Sequence, residues 1–303
     1  MRIGIFGGEV AGQGGIDDVI ASARRTADEG FASYWMPQIF GLDALTSLAV
    51  IGREVPGIEL GTAVVPTYPR HPMMLAAQAL TTQVISGGRL TLGIGLSHQV
   101  VIEGMFGFSF EKPVRHMREY LSILMPLVRG EPVSFAGETL TFNGSVQIAG
   151  ATPFPVLVAA LGPKMLELAG TVADGTITWM TGAATLESHT VPAITKAAEQ
   201  AGRPEPRVCV GLPVCVTDDP DGARERAGKV FAVYDSLPSY KAMLDREGAA
   251  GPADVAIVGD EATVTAAVRR LADVGTTDFA AVEYGSVSKG DRERTRELLR
   301  SLL

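Results

Sequence analysis

Two cysteines in 303 residues leave no material for a disulfide framework. Cys209 and Cys215 fall in one apolar run, Arg207–Val216, that reads as a strand. Six steps of about 3.3 Å separate them by about 20 Å, far beyond the reach of a disulfide. They are expected as buried free thiols, which fits a reducing cytosol and a cytoplasmic protein. Basic runs are missing too. Lys and Arg number 26 against 34 Asp and Glu, a net charge of −8, whereas a nucleic-acid binder needs a positive field to neutralise phosphates. The four histidines, His71, His98, His116 and His189, stand at no metal-ligand spacing such as His-Glu-x-x-His, so no metal site is expected. No Gly-x-Ser-x-Gly elbow and no Gly-x-x-x-x-Gly-Lys loop occurs, which argues against serine hydrolases of that type and P-loop enzymes. The uncharged stretch Thr139–Pro163 carries Asn143, Gln147, Pro153 and Pro155, which disqualifies it as a membrane span. No leader stands before the strand-like Arg2–Phe6, so no secretion is expected.

What is present is an alternation. Apolar β-rich runs occur at Arg2–Phe6, Phe31–Met36, Ile58–Val65, Leu90–Gly95, Pro155–Leu161, Thr176–Met180, Val208–Val216 and Phe279–Tyr284. Helical patterns lie between them, near residues 16–29, 43–54, 73–86, 113–129, 163–173, 192–201, 221–247 and 263–274, with a last one near 291–302. In the fourth, Val114, Met117, Leu121, Leu124, Met125 and Val128 recur at steps of three and four and make one apolar face. His116 lies beside charged residues there and is expected on the surface. Strands that read as near-continuous apolar runs are buried on both faces, as in a parallel sheet. Eight β-then-α units predict a single domain over residues 1–303, an α/β chain folded as a (β/α)8 TIM barrel. An open doubly wound sheet is the alternative, disfavoured because no Gly-x-Gly-x-x-Gly turn follows the first strand. One insertion stands out near residues 132–148. Val133–Phe135, a turn at Gly137, Thr139–Phe142 and an Asn143-Gly144 turn read as a β-hairpin.

The barrel places chemistry in the loops after each strand. Gly162-Pro163-Lys164, after the fifth, combines a close-approach residue, a proline at the first helical position and a lysine. Such a helix start suits a phosphate; an ordinary helix start with an exposed lysine reads equally well. Gly95-Leu96-Ser97-His98, after the fourth strand, offers a hydroxyl and an imidazole, or simply a polar loop. His189 leads into a helix and could reach the rim. The stretch Phe231–Gly251, with Tyr234, Leu237, Tyr240, Met243 and Leu244, reads as a lid or substrate wall, or as a second core cluster. The helices near 43–54 and 73–86 are apolar on most sides, which predicts a homodimer interface there.

Several motifs then converge. Gly61-Thr62-Ala63-Val64-Val65-Pro66-Thr67-Tyr68-Pro69-Arg70-His71-Pro72, Gly88-Arg89-Leu90-Thr91-Leu92-Gly93-Ile94-Gly95, Pro113-x-x-x-Met117-Arg118-Glu119-Tyr120-Leu121 and Ala173-Asp174-Gly175 resemble the bacterial luciferase-like superfamily. Within it the chain is similar to oxidoreductases that use the deazaflavin coenzyme F420. The resemblance runs through nearly the whole chain. It implies a barrel, usually a homodimer, with a non-proline cis peptide at Ala63–Val64 forming a bulge behind a tricyclic ring. It also implies that Gln38, Ala63, Val64, Gly95, Leu96, Ser97 and His98 surround that ring. Leu161, Gly162, Pro163, Lys164 and Met165 would hold the phosphate end of its tail, with Trp179 and Thr181 completing the pocket. Many deazaflavin members carry an acidic residue and a histidine after strand two; here Gln38-Ile39 replaces them. Ile39 exchanges no proton and Gln38 only hydrogen-bonds. His98 is then the first choice of catalytic proton carrier, ahead of Glu9, Tyr68 or water.

The expected activity is hydride transfer between F420 and a small organic substrate. A reduced-FMN monooxygenase is the near alternative, and a non-catalytic homologue binding a flavin or deazaflavin is another. A phosphate-binding isomerase or lyase would account for Gly162-Pro163-Lys164 but not for the loops after strands three and four.

Overall fold

The first strand, Arg2–Phe6, runs parallel between the second, Ser33–Met36, and the eighth, Asp278–Glu283. Following the pairings outward from it closes a ring. Ser33–Met36 pairs with Glu59–Thr62, then Leu90–Gly95, Val156–Val158, Gly175–Trp179 and Arg207–Val216, which returns to Asp278–Glu283. These are the eight apolar runs of the sequence, slightly trimmed, and they make the (β/α)8 barrel. The computed structural model describes residues 1–8, 12, 14–284 and 290–303. No helix among them is long and apolar enough to cross a membrane. A short strand outside the eight runs, Ile257–Gly259, pairs in parallel with the end of the long seventh strand.

Two lapses of the helical reading have local causes. The pattern at 221–247 is interrupted. Helix Pro220–Val230 gives way to a 3-10 turn at Ala232–Ser236 and a second helix, Pro238–Glu247. Pro238 lacks the N–H that a continuous helix needs and forces Leu237 into extended backbone. His116, expected on the surface, is buried. Its imidazole stacks on Tyr68 at 3.9 Å, nearly parallel, and its Nε2 lies 3.0 Å from the Thr67 hydroxyl. Burial pushes its pKa down to about 4.

The hairpin exists and turns at Gly137 as expected, but the second turn does not form. Val133–Ala136 pairs with Thr141–Gly144, so Asn143-Gly144 lies inside the second strand. The turn forms around Glu119, whose carboxylate accepts the N–H groups of Glu138, Thr139 and Leu140 and the Thr139 hydroxyl. Burial works to raise the pKa of Glu119, but these hydrogen bonds outweigh it and hold it below the usual carboxylate value.

Helices Ala44–Glu54 and Pro72–Ile85 pack on each other, burying Leu45, Leu48, Ile51, Leu75, Ala76 and Ala79 within the subunit. Much of their apolar character is spent there; Val50, Met74, Val84 and Ile85 stay exposed. The amino end of the barrel is closed by charge. Arg207 reaches Asp278 at 2.8 Å and Glu59 at 3.0 Å, Arg2 reaches Asp278 at 2.9 Å, and Thr91 donates to Glu59 at 2.8 Å.

Candidate functional site

At the opposite end of the barrel the third strand is interrupted. Leu60 faces Leu90 across the ladder, while Val65 faces Ile94, so the third strand carries one residue more than the fourth. The extra residue falls at Ala63–Val64, and that peptide is cis, as the resemblance implied. The bulge needs the glycines opposite it. A Cβ on Gly93 would collide with the Thr62 carbonyl and approach Val64 to 3.1 Å. One on Gly95 would lie 2.7 Å from Val64 Cγ2 and 3.2 Å from Ala159. Thr62 fastens the base, its hydroxyl donating to the Gly93 carbonyl and accepting the Gly93 N–H, both at 2.8 Å.

Leu96, Ser97 and His98 follow from the fourth strand, all half-buried. Ser97 adopts left-handed backbone, φ 60°, which turns the chain sharply before His98 caps the helix Gln99–Gly104. The His98 ring lies 5.5 Å from that of Tyr240. Burial holds its pKa below the usual histidine value, so it is neutral at pH 7.

Gln38 has a structural task. Its side-chain carbonyl accepts the Ala44 N–H at 2.7 Å, capping the helix that Asp43 also caps through Thr46. Asp43, the titratable group of this loop, is taken up by the cap and by Arg70, and Ile39 and Phe40 are exposed. Tyr68 is enclosed between Phe110 and His116, and burial raises its pKa to about 12, which makes it a poor proton source at neutral pH. Glu9 lies outside the described residues.

After the fifth strand, Gly162 caps the helix Pro163–Val172 through extended backbone, without any side-chain cap. Space around it is open, since a Cβ there would meet nothing within 4 Å. Pro163 and Lys164 are exposed and Met165 is buried. The loop is held from behind by His189, whose Nε2 lies 2.8 Å from the Leu161 carbonyl. Because a carbonyl only accepts, that nitrogen carries a proton.

Trp179 ends the sixth strand, and its indole meets Phe6 at 5.7 Å, Phe231 at 5.8 Å and Tyr234 at 5.7 Å. Thr181 is buried and bonds back to the Trp179 carbonyl, closing the turn through left-handed Met180. Tyr234 packs edge-on against Tyr240 at 5.1 Å, and Phe231 against Tyr284 at 5.8 Å. His98, Tyr240, Tyr234, Trp179 and Phe6 thus form one continuous aromatic wall, linking loops that sequence reading had treated separately. The segment flagged as a lid supplies the middle of it. Phe6 and Tyr284 were missed; their signal is an aromatic at the end of the first strand and just beyond the last. The lid is tied down by Glu247, which accepts the Ala184 and Thr185 N–H groups at 3.1 and 2.7 Å above Gly182.

Two features suit a flat ring with an anionic tail: the open helix start at Gly162 beside Lys164, and the indole N–H of Trp179. The latter is buried beside the Tyr234 hydroxyl. Among the described residues no group of His, Cys, Asp and Glu is arranged to hold a metal ion.

Comparison with known proteins agrees with this geometry. The profile of the luciferase-like monooxygenases matches residues 1–278. A 5,10-methylenetetrahydromethanopterin reductase of Methanolobus tindarius is 30% identical over 228 residues, covering 75% of this chain and 69% of that protein. Two solved structures share the fold. The coenzyme F420-dependent tetrahydromethanopterin reductase of Methanopyrus kandleri superposes with a TM-score of 0.80 at 22% identity, over 99% of this chain and 97% of the other. A type II Baeyer-Villiger monooxygenase of Pseudomonas putida, in complex with FMN, gives 0.76 at 18% identity, over 99% and 96%. With a matched profile over most of its length and a barrel that carries the bulge and the open fifth loop, the chain belongs to the luciferase-like monooxygenase family of enzymes.

Proposed function

We propose that this protein transfers a hydride between coenzyme F420 and a small organic substrate at the carboxyl end of the barrel. The observation that carries the reading is the bulge that seats Val64 over Gly93 and Gly95 at the end of the barrel where the aromatic rings also gather. An aliphatic side chain presented in this way suits the back of a planar ring. The similarity to a methylenetetrahydromethanopterin reductase supports the deazaflavin. When bound, the deazaflavin supplies the two-electron hydride chemistry.

The chain supplies the rest. Backbone N–H groups at the start of Pro163–Val172, with Lys164, hold the phosphate of the tail. Ala63, Val64 and Leu96 bound the ring, and the aromatic wall excludes water. His98 exchanges a proton with the substrate oxygen; a neutral imidazole with a depressed pKa gives its proton up readily once it has one. The reading includes a cytoplasmic homodimer, supported by the buried thiols Cys209 and Cys215 and by exposed Val50, Met74, Val84 and Ile85.

A reduced-FMN monooxygenase is the second reading, favoured by the FMN complex of the Pseudomonas putida structure on the same fold. Equilibrium titration of the purified protein with F420 and with FMN separates the two. Binding of F420 at least ten-fold tighter than FMN is expected. Tight FMN binding without F420 binding transfers the assignment to the monooxygenase. Full occupancy by either coenzyme, with no hydride exchange toward any donor or acceptor, identifies a non-catalytic binder.

A further inference from the structure

We propose that His189 is a positioning residue for the phosphate of the coenzyme tail. By holding the Leu161 carbonyl from behind, it fixes the direction of the Gly162 N–H that the phosphate meets. The inference rests on the coenzyme reading above and adds to it a residue outside the tail-binding turn.

The turn has two backbone donors to offer. The Met165 and Leu166 N–H groups both go to the Gly162 carbonyl, and Pro163 has none. Among the described residues nothing accepts from the N–H of Gly162 or Lys164. Such donors serve an anion best when their peptides are held in one orientation. The peptide joining Leu161 to Gly162 is trans and planar, so its carbonyl and its N–H point in opposite directions. His189 Nε2 donates to the Leu161 carbonyl at 2.8 Å. The Gly162 N–H is thereby turned away from His189, on a residue that is exposed.

An irregular turn puts His189 in this place. Leu186–Thr190 wind as one π-type turn between Ala183–Thr185 and the α-helix Val191–Gln200. A turn of this type carries one extra residue, which rotates its side chains by about 100° from the regular register. The element that carries it is fixed on several sides. Glu247 accepts the Ala184 and Thr185 N–H groups, and Glu187 pairs with Arg270. Beyond the turn it packs directly on the helix Pro163–Val172. A Cβ on Gly170 would come 2.5 Å from the Ile194 carbonyl and 2.8 Å from the Ala197 methyl. His189 therefore stands at a set distance from the helix whose start it orients. A phenyl ring would fill the same half-buried space, but only the imidazole N–H reaches Leu161.

Fluorescence titration of the full chain with F420 and with FO, the same deazaflavin and ribityl chain without a phosphate, tests this. The unaltered protein is expected to bind F420 at least ten-fold tighter than FO. His189→Phe should weaken F420 about five-fold, the effect of one hydrogen bond, and leave FO within about two-fold. His189→Gln, which returns a donor at similar reach, should recover most of the loss. An equal loss for both ligands in His189→Phe reduces the imidazole to packing and overturns the proposal, as does an unchanged F420 affinity. Should His189→Phe not fold, amide exchange of the unaltered protein decides. F420 should slow exchange at Gly162 and Lys164 and FO should not; equal exchange with the two overturns the proposal. F420 bound no tighter than FO defeats the tail placement while the ring site stands. Binding of neither ligand defeats the coenzyme reading, and this inference with it.

Discussion

The imidazole of His98 and the phenol of Tyr240 lie 5.5 Å apart at a 52° tilt, although one follows the fourth strand and the other sits on a helix after the seventh. The lid therefore reaches across the tops of the fifth and sixth strands. The His98 imidazole is placed under a cover instead of in open water, which explains why burial alone lowers its pKa.

His98 leads to a prediction with a defined sign. Carbonyl reduction needs its protonated form, so the rate should rise as pH falls toward an apparent pKa below 6.5. Alcohol oxidation needs the neutral form and should decline over the same range. His98→Ala should lower turnover about 10²–10⁴-fold, while coenzyme affinity stays within a few-fold. Steady-state rates from pH 5 to 8, with a separate binding titration, check both halves.

A second pH effect belongs to His116. The folded protein keeps this imidazole neutral down to about pH 4, whereas the unfolded chain takes up a proton near pH 6.5. Stability is therefore complete above about pH 6.5 and should fall by about 3 kcal/mol as pH drops to 4. His116→Phe keeps a ring beside Tyr68 and cannot titrate. Its urea midpoint should vary less with pH between 7 and 4.5 than that of the unaltered protein.

The glycines opposite the bulge should differ in tolerance. Gly93→Ala drives a methyl into the Thr62 carbonyl, which is backbone, and should cost about 3 kcal/mol in denaturant unfolding. Gly95→Ala meets only the end of the Val64 side chain and a methyl of Ala159. It should cost about 1 kcal/mol and appear mainly as weakened F420 binding.

Glu247→Ala removes the acceptor that holds the lid to the helix start at Ala184 and Thr185. Global stability should fall by only about 1 kcal/mol. Proteolysis and amide exchange in residues 231–247 should accelerate far more than elsewhere, because the segment opens locally.

Assembly is checked by light scattering. The unaltered chain, 31.8 kDa, is expected to elute as a dimer. Met74→Glu, on the most exposed of the four apolar side chains, should convert it to monomer without altering its far-ultraviolet spectrum.

The barrel was legible because its strands are short, apolar and each followed by a helical period; a count of eight then left few alternatives. Local competition hid the rest. The Gly137 turn was legible, but Asn143-Gly144, which carries a strong turn signal, pairs inside a strand because the buried Glu119 carboxylate gathers the backbone at 138–140. His116 has charged sequence neighbours, and only the fold brings Tyr68 onto it. Gln38 stood in the right loop but faces its own helix start. The aromatic wall could not be assembled from sequence, since Phe6, His98, Trp179, Tyr240 and Tyr284 meet only after the ring closes. Cys209 and Cys215 are buried thiols without a disulfide between them, as strand spacing required.

The ionic seal of Arg2, Glu59, Arg207 and Asp278 closes the amino end of the barrel, so a ligand of this cup comes and goes at the carboxyl end. Whatever sits deepest must arrive first and depart last, so the larger reactant would be admitted ahead of the smaller. Kinetics of that kind are compulsory-order: the small product leaves before the coenzyme, and excess substrate can trap the occupied cup before the coenzyme escapes.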